Sequence, residues 1–201
     1  MDRNSHTDPK VILESQIREC YGRVVYSHKT QEKCADIIKH KSDCMKVWQI
    51  VLSAITTASL ISKIFGDWKL SGVDIALVLG AIVSVILMVL NAYLKGYDLD
   101  SIMQKHSSCA VDLWGIRESY LSLLTEIKAD LLSIDEIIPR RDALQEKLND
   151  IYKGAPRTIN KAYSKAQEAL KQNEELTFSD KEIDIMLPKE LRRTESDNDN
   201  T

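Results

Sequence analysis

The chain has none of the short motifs that mark catalytic or nucleotide-binding sites in enzymes. It contains no glycine-rich dinucleotide fingerprint, no phosphate-binding P-loop, no nucleophile elbow and no metalloprotease helix. Adjacent acids such as Asp135 and Glu136 lie on a charged helix face, where acidic side chains are usually exposed to water rather than catalytic. We therefore expect a protein that is not an enzyme, with no catalytic residue and no cofactor.

Paired cysteines and clustered metal ligands are also missing. The four histidines show no HExxH or similar ligand spacing, and the four cysteines form no CxxC pair. This pattern predicts reduced cysteines within helices and no metal site. The first 46 residues are polar and charged, so a cleaved signal peptide is not expected. The cysteines are Cys20, Cys34, Cys44 and Cys109.

Charge is absent from two stretches of a chain in which 28% of the residues are charged. No charged residue occurs from Val47 to Ser62, and none occurs from Ile75 to Leu94. Extended to Phe65, the first stretch gives about 28 Å of helix, close to the roughly 30 Å of a bilayer core. The sequence therefore predicts two transmembrane spans, at about Val47–Phe65 and Ile75–Leu94.

The segment between the two spans is typical of a short turn. Gly66 and Gly72 punctuate it, and Trp68 stands where an interfacial aromatic residue would. Basic residues are numerous before the first span and few in this turn, so the positive-inside rule predicts that both termini are cytoplasmic. The alternative is a buried hairpin in a soluble bundle, although such helices are rarely apolar on every side for about 20 residues.

Each predicted span carries a line of polar or small residues on a helical wheel. One interpretation is helix packing, in which small residues let backbones approach and hydroxyls bond to their own helix. The other is a water-lined pore, which requires several copies because two helices cannot enclose a channel. The packing candidates are Ala76, Gly80 and Ser84. The pore-lining candidates are Gln49, Ser53, Thr56, Ser59 and Asn91.

Outside the hairpin the sequence predicts further helices, so the expected fold class is all-α, with long cytoplasmic amphipathic and coiled helices. Asp8 and Pro9 form a typical helix start, and His28 and Gln31 dilute the apolar stripe of the helix that follows. The predicted segments are 1–8 (flexible N-terminus), 9–46 (amphipathic helix), 47–94 (transmembrane hairpin), 95–138 (helix continuing the second span), 139–188 (helical C-terminal region) and 189–201 (disordered tail).

A heptad seam is predicted after the second span, because apolar positions alternate there by four and three. Pro139 is expected to end this helix, and Pro156 to begin another. Ser179 and Glu182 fit a capping box. The seam consists of Ile102, His106, Cys109, Leu113, Ile116, Tyr120, Leu123 and Ile127, continued with one shift by Leu131, Ile134 and Ile138. The apolar side of the later helix is expected to hold Ile159, Tyr163, Ala166 and Leu170.

This order of parts resembles the SLATT family, bacterial two-transmembrane effector domains. The resemblance extends from about Ile12 to Ile185. The stretches that carry it are Glu19–His28, Leu90–Leu99 and Ala110–Leu124, and its sharpest points are Trp114, Arg117 and Tyr120.

The resemblance implies an effector of antiviral, abortive-infection systems in the bacterial inner membrane. Members of the family are thought to form homo-oligomers that permeabilise the lipid bilayer. The resemblance also implies a partner sensor, such as a nucleotidyltransferase or, in the subfamily this sequence most resembles, a reverse transcriptase. The trigger is the sensor or its nucleotide or nucleic-acid product, and no sensor domain is expected within this sequence.

The alternative function is a membrane-anchored scaffold that recruits a partner enzyme through its cytoplasmic helices. Trp114, Arg117 and Tyr120 are the candidates for contacts with a cytoplasmic trigger or between helices. Trp114 and Arg117 have side chains that suit a nucleotide, whereas an arginine on a helix seam more often forms an ion pair with another helix.

Overall fold

The structure, a computed structural model, describes residues 8–65, 69–70 and 73–188 of the chain, and the side chains of most of them. It confirms the all-α fold class. Residues 1–7 of the predicted flexible N-terminus and the whole predicted tail, 189–201, lie outside the described residues. The elements are α1 (Pro9–Phe65), β1 (Lys69–Leu70), β2 (Val73–Asp74), α2 (Ile75–Gly96), α3 (Leu99–Lys128), α4 (Ile134–Gly154), α5 (Asn160–Lys171) and α6 (Asp180–Met186).

Helix α1 is a single helix of 57 residues that contains both the predicted amphipathic helix and the first span. It begins as predicted, because the Asp8 carboxylate accepts a hydrogen bond of 3.0 Å from the Lys10 backbone N–H. Pro9 is the first residue of the helix. A backbone N–H at this position would have no partner within the helix, so proline, which lacks the N–H, loses no hydrogen bond there. The helix continues without a break from the charged half into the apolar half.

The membrane hairpin is formed by the C-terminal part of α1 and by α2. Two short antiparallel strands, β1 and β2, close it, with Lys69 opposite Asp74 and Leu70 opposite Val73. Large apolar side chains on both helices are exposed, for example Met88 at 65%. No other described element covers these surfaces, which excludes the alternative of a hairpin buried in a soluble bundle. An exposed apolar surface of this length is stable only in a lipid environment, so the protein is a membrane protein.

The second span does not continue as one unbroken helix up to residue 138, which corrects the predicted segment 95–138. Helix α2 ends at Gly96, and α3 begins at Leu99 after a break at Tyr97 and Asp98. The Asp98 side chain caps α3 by accepting a hydrogen bond of 2.9 Å from the Ser101 backbone N–H. An aspartate at this position stabilises a new helix start better than it stabilises a helix interior.

A second break, at residues 129–133, also corrects the prediction that one helix runs up to Pro139. Ser133 and Glu136 form a capping box that starts α4, with the Ser133 N–H donating to the Glu136 carboxylate at 2.9 Å. Asp130 adopts a left-handed backbone, with φ of 58°, between the two helices. Pro139 therefore lies inside α4, in its second turn, rather than at the end of a helix.

The apolar core lies where α3 and α4 pack on the N-terminal half of α1. The predicted seam of α3 is buried from His106 to Ile127, whereas Ile102 is 36% exposed. The shifted continuation is wrong: Leu131 and Ile138 are exposed, and Ile137 is the residue of α4 that enters the core. Residues 129–133 are not helical, so the helical spacing of α3 does not continue into α4. The core consists of Ile17, Cys20, Val24, Cys109, Leu113, Ile116, Tyr120, Leu123, Ile127, Leu132 and Ile137.

Helix α5 packs on α1 through small side chains. Ala162, Ala166 and Ala169 are buried. Of the predicted apolar side, Ala166 is buried and Leu170 half-buried, whereas the prediction is wrong for Ile159 and Tyr163, which are exposed. Alanines let the two backbones approach closely. The pairing sets α5 against the polar residues in the middle of α1. Helix α6 begins with the predicted Ser179–Glu182 capping box.

We expect Gly80→Leu to destabilise the hairpin, because a Cβ atom at Gly80 would overlap the Ser59 side chain of α1. The expected loss is about 1–3 kcal/mol, the usual range for overpacking. Thermal unfolding in detergent micelles measures it.

The matched control is Gly115→Leu on α3, since nothing lies within 4 Å of a Cβ atom there. Equal unfolding temperatures for the two variants would show that α1 and α2 do not pack at Gly80.

Candidate functional site

Three of the five predicted pore-lining residues lie in the seam between α1 and α2. Gln49, Thr56 and Ser59 are half-buried on the side of α1 that faces α2. The Thr56 hydroxyl donates to the Leu52 carbonyl at 2.9 Å, and the Ser59 hydroxyl donates to the Thr56 carbonyl at 2.7 Å. Within one chain, the Thr56 and Ser59 hydroxyls thus bond to carbonyls of their own helix.

The other two pore-lining candidates, Ser53 and Asn91, are exposed, and so is Ser84, which was predicted to pack. The helices run antiparallel with Ser59 beside Gly80. Successive residues are turned by 100° around a helix axis. Ser53 on α1 therefore lies just outside the seam, on the same side of the hairpin as Ser84 and Asn91 on α2.

We call Ser53, Ser84 and Asn91 the polar edge of the hairpin. Of the predicted packing residues, Gly80 is buried in the seam. The Ser84 hydroxyl donates to the Gly80 carbonyl at 2.8 Å. The side chain of Ala76 lies outside the described part of the structure. The sequence did not separate this edge from the seam, because both fall within one broad stripe on a helical wheel.

Polar contacts join the hairpin to the bundle formed by α3, α4, α5 and the N-terminal half of α1, at the point where α2 ends and α3 begins. Asp100 accepts hydrogen bonds from the Ser42 hydroxyl at 2.7 Å and from the Lys46 ammonium at 2.6 Å. The Lys41 ammonium donates to the Tyr93 hydroxyl at 3.0 Å and lies 5.4 Å from the centre of that ring. These contacts connect α1 just before the first span with the end of α2 and the start of α3, and we call this region the base of the hairpin. A movement of α3 along α1 would disturb these contacts.

A chain of buried polar groups crosses the bundle between α1 and the segment before α5. His106 on α3 donates through Nδ1 to the Gln31 amide oxygen on α1, at 2.5 Å. The Gln31 amide nitrogen donates in turn to the Pro156 carbonyl at 3.3 Å. His28 and Gln31, which the sequence pattern treats as interruptions of an apolar stripe, are both buried.

Trp114 and Arg117 lie beside this chain, on the side of α3 that faces His28. The Trp114 ring is 5.3 Å from the His28 ring, and the Arg117 guanidinium lies 4.5 Å from the centre of the Trp114 ring. Arg117 is 8% exposed, and its Nε and Nη1 have no hydrogen-bond partner. Its neighbouring acid, Glu118 at 3.8 Å, is on its own helix, so the inter-helix ion pair suggested by the sequence is not formed in the described part of the chain.

Tyr120, the third residue in this group, belongs to the apolar core and is fully buried. Burial, together with the neighbouring Cys20 thiol, raises the pKa of Tyr120 to about 12. Trp114 and Tyr120 thus both make contacts between helices. Trp114, at 42% exposed, also reaches the surface, which Tyr120 does not.

Burial also perturbs the two histidines of the bundle. It lowers the pKa of His106 below its ordinary value. It lowers that of His28 as well, with Glu32 opposing the shift and Lys29 and Arg117 adding to it. Both imidazoles are therefore neutral at pH 7.

Comparison with known proteins gives one match. A family model described as SMODS and SLOG-associating 2TM effector domain family 4 matches residues 13–182 of the chain. No curated protein and no solved structure matches.

We expect Gln31→Leu to destabilise the protein by about 1–3 kcal/mol, because His106 Nδ1 and the Pro156 carbonyl would both lose a buried partner. Gln104→Leu, on the exposed side of α3, is the matched control. Thermal unfolding of the two variants in detergent micelles measures the difference, and equal stability would show that the polar chain contributes nothing.

We expect stability to fall as the pH decreases below about 6.5, the ordinary pKa of histidine. The folded state resists protonation of His106 and His28 while the unfolded state accepts it, so the unfolded state binds more protons in this range. The stabilisation is complete above pH 6.5 and is lost towards the lowered pKa of the folded state.

Unfolding temperatures measured from pH 7.5 to 5.0 check this expectation. His106→Asn should reduce the slope, whereas His40→Asn, at an exposed position, should leave it unchanged. An identical slope for wild type and His106→Asn would contradict it.

Proposed function

The chain belongs to the SMODS and SLOG-associating 2TM effector domain family 4, and we propose that it is the membrane effector of a bacterial antiviral system. On activation, several copies assemble and permeabilise the inner membrane, which causes abortive infection. The observation that carries this proposal is the polar edge: Ser53, Ser84 and Asn91 lie exposed on one side of an otherwise apolar hairpin.

The polar edge explains why assembly in the membrane is favourable. Facing lipid, hydroxyl and amide groups lose the hydrogen bonds that water provides. When copies of the hairpin meet along this edge, the groups can bond across the interface or face a water-filled lumen. Because one hairpin cannot enclose a pore, the open state is a homo-oligomer in which Ser53 and Asn91 line the pore.

We propose that both termini are on the cytoplasmic side. The described cytoplasmic helices before and after the hairpin pack on each other, which requires them to be on the same side of the membrane. Basic residues concentrate on that side of the chain, as the positive-inside rule requires. They include Arg23, Lys29, Lys33, Lys39, Lys41, Lys46, Lys95 and Lys105.

The trigger acts on the cytoplasmic bundle and reaches the hairpin through α1. A partner sensor, such as a reverse transcriptase or a nucleotidyltransferase, or the product of that sensor, shifts α3 against α1. The contacts of Asp100 with Ser42 and Lys46 then rearrange at the base of the hairpin. Two arrangements of this base correspond to the closed and open states, and the trigger favours the open one.

A second candidate is a membrane scaffold that recruits a partner enzyme. An exposed apolar line on α3, formed by Val111, Trp114 and Leu121, favours this function, because such surfaces often bind proteins. A scaffold uses the spans as an anchor and does not depend on which side chains lie at the polar edge.

The double variant Ser53→Leu/Asn91→Leu tests the pore. We expect it to insert normally and to lose at least tenfold in dye leakage from liposomes and in toxicity to cells after activation, because two of the three side chains of the polar edge become apolar. The control is Ala54→Leu/Ala92→Leu, which adds two leucines at exposed positions on the outer faces of α1 and α2, turned away from the seam.

Equal leakage from the two double variants would refute the assignment of the polar edge as pore lining. Cell killing without leakage or depolarisation for the wild type would refute permeabilisation itself and favour the scaffold.

A further inference from the structure

Two lysines on α1 are partly buried and share one carboxylate from a distant part of the chain. The Lys29 ammonium lies 2.6 Å from a Glu175 oxygen, and the Lys33 ammonium lies 3.3 Å from the same oxygen. The Lys29 side chain is only 9% exposed and also contacts Glu32 at 2.9 Å. Glu175 therefore neutralises the ammonium groups of two lysines that are already partly shielded from solvent.

Glu175 reaches this position from the connection between α5 and α6. Both of its neighbours have left-handed backbones: φ is 51° at Glu174 and 74° at Leu176. Residues other than glycine rarely adopt this conformation, and for leucine it is strained. The contacts of the Glu175 carboxylate with Lys29 and Lys33 add to the backbone hydrogen bonds of this segment, in which the Glu175 N–H donates to the Ala169 carbonyl at 2.9 Å and the Thr177 N–H donates to the Glu174 carbonyl at 3.0 Å.

The carboxylate lies at one wall of a cavity of about 580 Å³ between α1 and α3. The cavity is also lined by His28, whose Nδ1 has no hydrogen-bond partner, and by the Trp114 ring. The guanidinium of Arg117, with two unpartnered N–H positions, lies against Trp114. The cavity wall thus combines Lys29 and Lys33 with three acids, Glu32, Asp36 and Glu175. Of these acids, Glu175 alone comes from a segment distant in the sequence.

From this geometry we propose that the cavity binds a small organic phosphate, and that Glu175 occupies the phosphate position until the ligand displaces it. A phosphate group carries more charge than a carboxylate and accepts more hydrogen bonds, so it can pair with both Lys29 and Lys33. Glu32 remains with Lys29.

The size of the cavity favours an organic phosphate over inorganic phosphate. A volume of about 580 Å³ falls within the range of small-molecule sites and far exceeds that of one phosphate ion. Val111, Ala110 and the exposed part of Trp114 give it an apolar wall for the organic part of the ligand.

Displacement of Glu175 has a mechanical consequence. The segment between α5 and α6 loses its two ion pairs, and its strained backbone relaxes. Helix α5 is then held to α1 mainly by its alanines. The binding site does not depend on the proposed function, but its role as a trigger rests on it.

The test uses the full chain in detergent micelles. Isothermal titration calorimetry measures the binding of ATP and, as a control ligand without an organic part, of inorganic pyrophosphate. Glu175→Gln removes the competing charge and should raise the affinity for ATP about tenfold. Glu174→Gln, an adjacent exposed position, removes the same charge outside the site and should change nothing.

Lys33→Met should weaken ATP binding at least tenfold, whereas Lys39→Met, an exposed lysine of the same helix, should not. Limited trypsin cleavage after Lys171 should become faster when ATP is bound, because the segment that follows is released. Pyrophosphate binding as tight as that of ATP would overturn the organic-phosphate assignment.

Absence of binding in wild type and Glu175→Gln would overturn the site, as would equal affinities for Glu175→Gln and Glu174→Gln. Liposome leakage is measured separately. Binding without any effect on leakage would remove the trigger role and leave the site. Leakage by a different activator, without ATP binding, would leave the proposed function and remove the site.

Discussion

The continuity of α1 is the constraint on which the rest of the structure depends. One helix of 57 residues supplies a wall of the apolar core, the contacts at the base of the hairpin and the first span. Interrupting it would leave backbone groups unpaired, and within a bilayer no water could satisfy them. Elements that pack on its N-terminal half are thereby connected mechanically to the membrane. In contrast, α2 and α3 are separated by the break at Tyr97 and Asp98, so the second span can move on the bundle without unwinding.

The helical bundle outside the hairpin combines two kinds of interior. Around Leu113 and Tyr120 it is an ordinary apolar core, which supplies the free energy of folding. Around His28 and Arg117 it is polar and only partly satisfied, since four buried side-chain atoms in the described residues, including one of Tyr120, have no hydrogen-bond partner. Each such group costs about 1–3 kcal/mol. A protein that retains these groups in an interior forgoes stability at that place, which is typical of sites where a ligand or a second conformation completes the bonding.

In the hairpin, unlike the bundle, little surface is buried between the helices. Its seam is narrow, with Gly80 the only described residue that is buried between the two spans. Most of its surface faces outward and is apolar, as a lipid environment requires. The polar edge is exposed on one side, and its Ser84 hydroxyl bonds to its own helix at the Gly80 carbonyl. The hairpin is joined to the bundle through α1 and through the contacts of Asp100 with Ser42 and Lys46.

The sequence by itself determined the elements whose cause is local. Absence of charge predicted both spans, Asp8 with Pro9 predicted the start of α1, and the spacing from His106 to Ile127 predicted the buried side of α3. It missed the Ser133–Glu136 capping box because apolar spacing seemed to continue through it. Only the tertiary structure decided which polar residues are buried. His28 and Gln31 look like surface residues until α3 and α5 cover opposite sides of α1. Likewise Ser53 and Thr56 lie on one stripe of the sequence, and the position of α2 alone separates an exposed edge from a seam. Burial of a side chain depends on which neighbour arrives, and that is a property of the packed chain.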